Sequence, residues 1–179
     1  MPKKSLFFAT LFSTIFSLTT FAANDFPDVP KSHKNYEAIN YLKNREIIDG
    51  YADGTFKPDK SISRIETLKI LLLGSQIEPE EKQSTFPDVS NTHWGQKYIF
   101  EAQKRKIVNG DADGNFNPDD TVSIAGALKM LLKVNDIHPE VPEISPFSNI
   151  SLQDWFVAYA KYAKTKKLID NQEIFNPSQ

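Results

Sequence analysis

Four polar side chains alternate through "GDADGNFNPDD", residues 110–120: Asp111, Asp113, Asn115 and Asn117. Oxygen donors two residues apart are what a calcium loop supplies. An EF-hand loop also needs glycine at its sixth position and glutamate at its twelfth, and Phe116 and Val122 stand there instead. Sixty positions earlier "GYADGTFKP", 50–58, has the same frame with Tyr51 and Thr55 at ligand places. The pattern predicts a turn, with no metal and no cofactor. Gly54 and Gly114 each follow Asp, in a dipeptide that turns the chain through positive φ.

Other chemistry is thinly represented. The chain has no cysteine, so there is neither a thiol nucleophile nor a disulfide framework. It lacks GxSxG, HExxH and a glycine-rich phosphate loop. His138 lies in the Pro-rich "DIHPEVPEISP", and His33 and His93 each precede a helix start, which predicts a local hydrogen bond and no proton shuttle. Two acids can pair in space as in glycosidases, but no motif marks such a pair. The reading is non-catalytic.

Composition supports a folded, exported chain. Of 179 residues 40% are hydrophobic and 25% charged, a globular balance. Residues 1–22 read as a secretory signal peptide: Lys3 and Lys4, an apolar run from Leu6 to Leu18, and Thr20 and Ala22 ahead of the cut. Its removal takes two lysines and no acid, leaving nineteen basic side chains against 23 acidic, a net charge of about −4. Nothing in that balance points to a nucleic-acid or anionic-membrane partner, and neither is expected once the signal peptide is removed. Without disulfides the remainder must stand on its core, which a chain of that length can do.

The elements that position these residues come from a repeat. Residues 26–73 align without gaps on 86–133, with twenty identities in 48 positions. A third, shorter copy starts at Phe147, putting Trp155 on Trp94 and Tyr159 on Tyr98. Repeats therefore span 24–80, 84–138 and 147–179, with a linker at 139–146. Each reads helix, loop, helix, with first helices near 34–45, 94–106 and 154–167 by apolar periodicity. Ser63 and Glu66 form a capping box ahead of the stripe Ile65, Leu68, Leu71, Leu72. Ser123 can cap in the second copy, but Gly126 replaces the glutamate and predicts a weaker start. Phe56 and Phe116 are expected to fold back into the core. Asn149-Ile-Ser151 matches a glycosylation sequon by pattern alone.

The combination "FPDV…HW…GxADGxFxP…SRxE" resembles the S-layer homology (SLH) domain, over two full copies and a partial third. The resemblance implies an all-α, pseudo-threefold bundle with the second helices central, its third repeat incomplete. It also implies bacterial cell-wall or S-layer location and inter-repeat grooves that bind a cell-wall polysaccharide, often one bearing a pyruvate ketal. Such a ligand presents a carboxylate, which a planar Arg holds through two hydrogen bonds and a helix N-terminus favours; a sugar ring also packs on an aromatic face. Carried over by motif, Arg64 is the carboxylate ligand with Ser63 beside it, Trp94 and Trp155 are groove tryptophans, and Asp28, Asp88, Gly50 and Gly110 complete the set. Read from residues alone, the tryptophans could equally be core anchors, Arg64 a solvated side chain, and the aspartates closers of a turn. No copy holds every element: Lys34 replaces the first tryptophan, Ile124 the second arginine, and Asn149 the third aspartate. A groove shared between copies, such as Arg64 facing Trp94, could still be complete, and at most one working groove is expected. The alternative function is an envelope assembly protein that oligomerises, or takes a partner SLH chain, through the incomplete bundle without binding glycan.

Overall fold

The computed structural model describes residues 25–169 and 174–178; the signal peptide read at 1–22 lies outside them. Among the described residues there are five helices and no strands: α1 Tyr36–Asn44, α2 Arg64–Gly74, α3 Gln96–Lys104, α4 Ile124–Val134 and α5 Val157–Thr165. No helix among them is long and apolar enough to cross a membrane.

The first helix of each unit is shorter than its periodicity suggests, for reasons at both ends. At the start, Tyr36, Gln96 and Val157 donate to the carbonyls of His33, His93 and Asp154, three residues back, so the chain enters through a tight turn. His33 Nδ1 accepts from Asn35 N and His93 Nδ1 from Gly95 N, the local bonds expected of these histidines. At the end, a residue in the left-handed region stops the helix: Glu46, Lys106 and Lys167 have φ of 58°, 58° and 56°.

All five helices stop this way. Gln76 and Asp136 close α2 and α4 at φ 57° and 55°. In each case the following residue (Ile47, Ile77, Ile107, Ile137 or Leu168) donates back to a carbonyl five residues earlier, and the left-handed residue donates to one three residues earlier. These are the paired bonds of a Schellman ending, which usually carries glycine. Here Glu, Gln, Lys, Asp and Lys occupy the glycine position, so composition gives no warning of the stop.

Helix starts follow the expected chemistry. Ser63 Oγ accepts from Glu66 N at 3.3 Å and Glu66 Oε2 accepts from Ser63 N at 2.8 Å, completing the capping box. Ser123 Oγ accepts from Gly126 N at 3.1 Å, and Gly126 has no side chain to return the bond.

Each repeat leans on the next. α3 packs on α2, α5 on α4, and α2 on α4. The loop of one unit also receives the second helix of the unit before it. Ile65 N donates to Pro118 O, Arg64 N to Asp120 O, and Val122 N to Ile62 O; Ala125 N donates to Pro177 O in the same manner. Burial follows this stacking: Ile65, Leu68, Leu72, Ile99 and Phe116, from two successive repeats, share one cluster. Phe116 is fully buried, as expected. Phe56 is half-buried and packs on Phe26 with ring centroids 5.3 Å apart.

Asp28 and Asp88 tie each unit together. Asp28 Oδ1 accepts from Phe56 N at 2.9 Å and Oδ2 from Lys57 N at 2.7 Å. Asp88 does the same for Phe116 N and Asn117 N, at 2.8 and 2.6 Å. In the third unit Asn149 keeps the clamp with altered polarity: Oδ1 accepts from Phe175 N and Nδ2 donates to Phe175 O. Both oxygens of each aspartate thus accept backbone hydrogen bonds, and neither residue is among those lining the two inter-repeat grooves described below. They close loops spanning almost thirty residues, not local turns.

Candidate functional site

Two open grooves lie at the junctions between successive units. The first, about 370 Å³, runs from the loop of the first repeat to Trp94 of the second. The second, about 580 Å³, runs from the loop of the second repeat to Trp155 of the third. Trp94 and Trp155 are 52% and 57% exposed, so they are groove faces and not core anchors.

The expected pairing of Arg64 with Trp94 is not what the fold produces. Arg64 begins α2, and the N-terminus of α2 is seated in the second repeat's loop. Its Nε donates to Phe116 O at 2.9 Å and its guanidinium lies 4.9 Å from the centroid of the Phe116 ring. Arg64 therefore lines the second groove with Gly110, Ser123 and Trp155. Each repeat contributes what it has: Arg64 from the first, Gly110 and Ser123 from the second, Trp155 from the third. Gly50 and Trp94 fall in the first groove, where no arginine lines the wall. Ser63 lines neither groove, and its hydroxyl is occupied at the helix cap.

Glycine at 50 and 110 serves the loop itself. Gly50 has φ +77°, and a Cβ there would come within 2.4 Å of the Phe26 ring and 2.7 Å of Thr55 O. A Cβ on Gly110 would meet the Gly114 backbone at 2.8 Å. Both line a groove, and both are required for the loop to close.

The second groove holds a further cation that motif reading passed over. Lys129, on α4, sets its Nζ 5.1 Å from the centroid of the Trp155 ring. Burial holds its pKa below the usual lysine range, and the neighbouring charges of Lys133 and Arg64 push it the same way. Arg64 is likewise lowered by burial, opposed by Asp120, Asp111 and Asp88. Two cations on one half-buried wall repel each other and gain from an anion between them. Asp111 and Asp120 line the same groove and act on Arg64, but neither features among the charges that shift Lys129; the oxygens of Asp111 accept from Asp113 N, Asn115 N and Asn117 Nδ2, which holds its pKa down and commits it to the turn. The alternating Asp/Asn run is thus a self-satisfied turn, and no cluster suited to a metal ion occurs among the described residues.

The matching lysine of the first groove is neutralised. Lys69 Nζ lies 2.9 Å from Asp49 Oδ2. At the position of Asp49 the second repeat has Asn109. Lys69 and Lys129 are identical at matching positions, a signal present in the repeat alignment but easily read as solvated helix surface.

Helix-loop-helix units that seat one another in series, with a tryptophan-walled groove at a junction that carries Arg64 and Lys129 along with Asp111 and Asp120, define a repeat-built helical module. Residues 25–68 and 85–123 match the sequence model of the S-layer homology domain, and the chain belongs to that family. It is 33% identical over 135 residues to an S-layer protein, EA1, of Bacillus anthracis, covering 74% of this chain and 15% of that one. It is 30% identical over 135 residues to a cellulosome-anchoring protein of Acetivibrio thermocellus, covering 73% and 30%. A third relative, an uncharacterized cell wall amidase of Bacillus anthracis, is 35% identical over 118 residues, covering 65% and 21%. The chain spans less than a third of the length of each of these relatives. Family and relatives place it at the bacterial cell surface or cell wall and identify the shared region as an envelope-anchoring, structural module.

Proposed function

We propose that the protein anchors to the cell envelope by binding an acidic wall polysaccharide in its second groove, without catalysis. The observation that carries this reading is the juxtaposition of Arg64 and Lys129 beside Trp155, in a groove whose carboxylates, Asp111 and Asp120, act on Arg64 but do not feature among the charges that shift Lys129. A guanidinium anchored through Nε can still offer terminal N–H groups to a carboxylate, in paired hydrogen bonds. Lys129 adds a point charge over the indole. The exposed Trp155 ring can stack on a sugar's apolar face, and its edge-on neighbours Phe156 and Tyr159, with centroids 5.5 and 6.4 Å away, hold it in place. A sugar bearing a pyruvate ketal fits this chemistry, since it joins a carboxylate to a pyranose ring.

The test is co-sedimentation with purified wall sacculi, with and without their attached polysaccharide, alongside Arg64→Ala and Lys129→Ala. Polysaccharide-dependent pelleting that both variants lose supports the reading. Pelleting that survives both variants moves the site elsewhere.

A further inference from the structure

We propose that residue 109 sets the charge selectivity of the second groove: Asn109, where the first repeat has Asp49, leaves the Lys129 ammonium without an internal counterion, so an acidic sugar completes it. This deepens the reading above and rests on it. The two repeats form a natural comparison. Lys69 and Lys129 occupy the same register of α2 and α4, and Asp49 and Asn109 both directly precede the loop glycine, lining the first and second grooves. In the first groove the carboxylate at 49 grips the lysine at 2.9 Å. In the second, an amide of almost the same size stands in its place. Asparagine keeps the volume and hydrogen-bonding capacity of aspartate but carries no charge.

No other group takes over. Among the described residues no carboxylate forms an ion pair with Lys129, and Asp111 is held by its own turn. Asp120 acts on Arg64 and does not feature among the charges that shift Lys129. Lys129 instead feels two cations, Arg64 and Lys133, and partial burial. An anion in the groove offsets the repulsion from both cations. In the first groove the same anion would have to displace Asp49 before it reached Lys69, which disposes that groove to uncharged sugar.

The test uses two probes differing only in charge: a methyl hexopyranoside carrying a 4,6-pyruvate ketal, and its methyl ester. Calorimetric Kd values are measured for the wild-type protein, Asn109→Asp, Asn109→Ala, Lys129→Ala and the double variant Asn109→Asp/Lys129→Ala. Asn109→Asp is expected to weaken the acid about tenfold or more and to leave the ester within about twofold, as an internal ion pair competes with a charge-assisted bond. Asn109→Ala, which adds no charge, is expected to keep the wild-type acid-to-ester ratio even where it lowers the affinity for both probes together. In the Lys129→Ala background, Asn109→Asp is expected to add little, the non-additivity that marks action through a shared partner. Titration of Lys129 by NMR supplies a readout independent of any sugar: its pKa rises in Asn109→Asp. An unchanged acid-to-ester ratio in Asn109→Asp overturns the proposal, as does a full additional loss in the Lys129→Ala background. A wild-type protein that binds neither probe overturns the anchoring reading itself. The titration then decides separately, and an unmoved Lys129 in Asn109→Asp overturns the role of residue 109.

Discussion

Arg64 of the first repeat and Trp155 of the third line the same groove, although a complete repeat lies between them in the sequence. The second repeat bridges them by holding the N-terminus of α2 in its loop, through Pro118 O and Asp120 O. The lining of the second groove is thus drawn from three repeats.

Alkaline pH should release an acidic ligand earlier than an ordinary lysine would. Burial lowers the Lys129 pKa, with Lys133 and Arg64 adding to it. The cation is therefore lost below the usual lysine range as pH rises, and affinity for an acidic glycan should fall there. A bound carboxylate raises that pKa again, so binding near the titration midpoint should take up protons, which calorimetry in buffers of different ionisation enthalpy would detect. Lys129→Arg should bind without this pH dependence.

Acid should unfold the protein through the Asp28 clamp and the ion pairs of Glu80 with Lys82 and Lys104. Backbone donors from Phe56 and then Lys57 hold Asp28 below its ordinary value, against the opposing effect of burial. Lys104 and Lys82 hold Glu80 down to about 2. A carboxylate whose folded pKa is depressed stabilises the fold above its unfolded value, and that stability is lost as pH falls through the folded value. Thermal stability should thus hold above about pH 4 and decline below it. In Asp28→Asn the Tm should be lower at neutral pH and the acid decline shallower, by circular dichroism.

The left-handed helix ends should accept glycine. Lys106 holds φ 58° with a Cβ that the left-handed region disfavours. Lys106→Gly should stabilise the protein by about 0.5–1 kcal/mol, the relief of that strain less glycine's added chain entropy. Lys106→Ala should not. Urea midpoints with an unchanged slope would distinguish the two.

Core and cap substitutions should rank by burial and completeness. Phe116→Ala should cost about 3–5 kcal/mol, since the ring is fully buried. Phe56→Ala should cost less, because Phe56 is only half-buried. Ser63→Ala should cost about 1 kcal/mol and more than Ser123→Ala, whose cap lacks the returning glutamate. Equal costs within either pair would contradict the structural ranking.

Much of this architecture is legible in the sequence. The repeat register, the Ser63–Glu66 capping box and the buried Phe116 follow from spacing and residue type, because each depends on neighbours close in sequence or on burial. The groove partners are less legible. Whether Arg64 meets Trp94 or Trp155 depends on which loop receives α2, a contact between residues more than fifty positions apart. The Asp28 and Asp88 clamps look like groove residues by motif because the same carboxylate chemistry serves either purpose; only the location of Phe56 N and Phe116 N decides. Lys129 hides behind its helical setting, and its place beside Trp155 depends on how the second and third repeats pack.

The central claim is best tested by co-sedimentation of the wild-type protein and Arg64→Ala with wall sacculi, intact and stripped of their polysaccharide. The predicted result is pelleting with intact sacculi only, lost on substitution of Arg64. A folded Arg64→Ala variant that pellets as well as wild type would contradict the claim that the second groove holds the glycan.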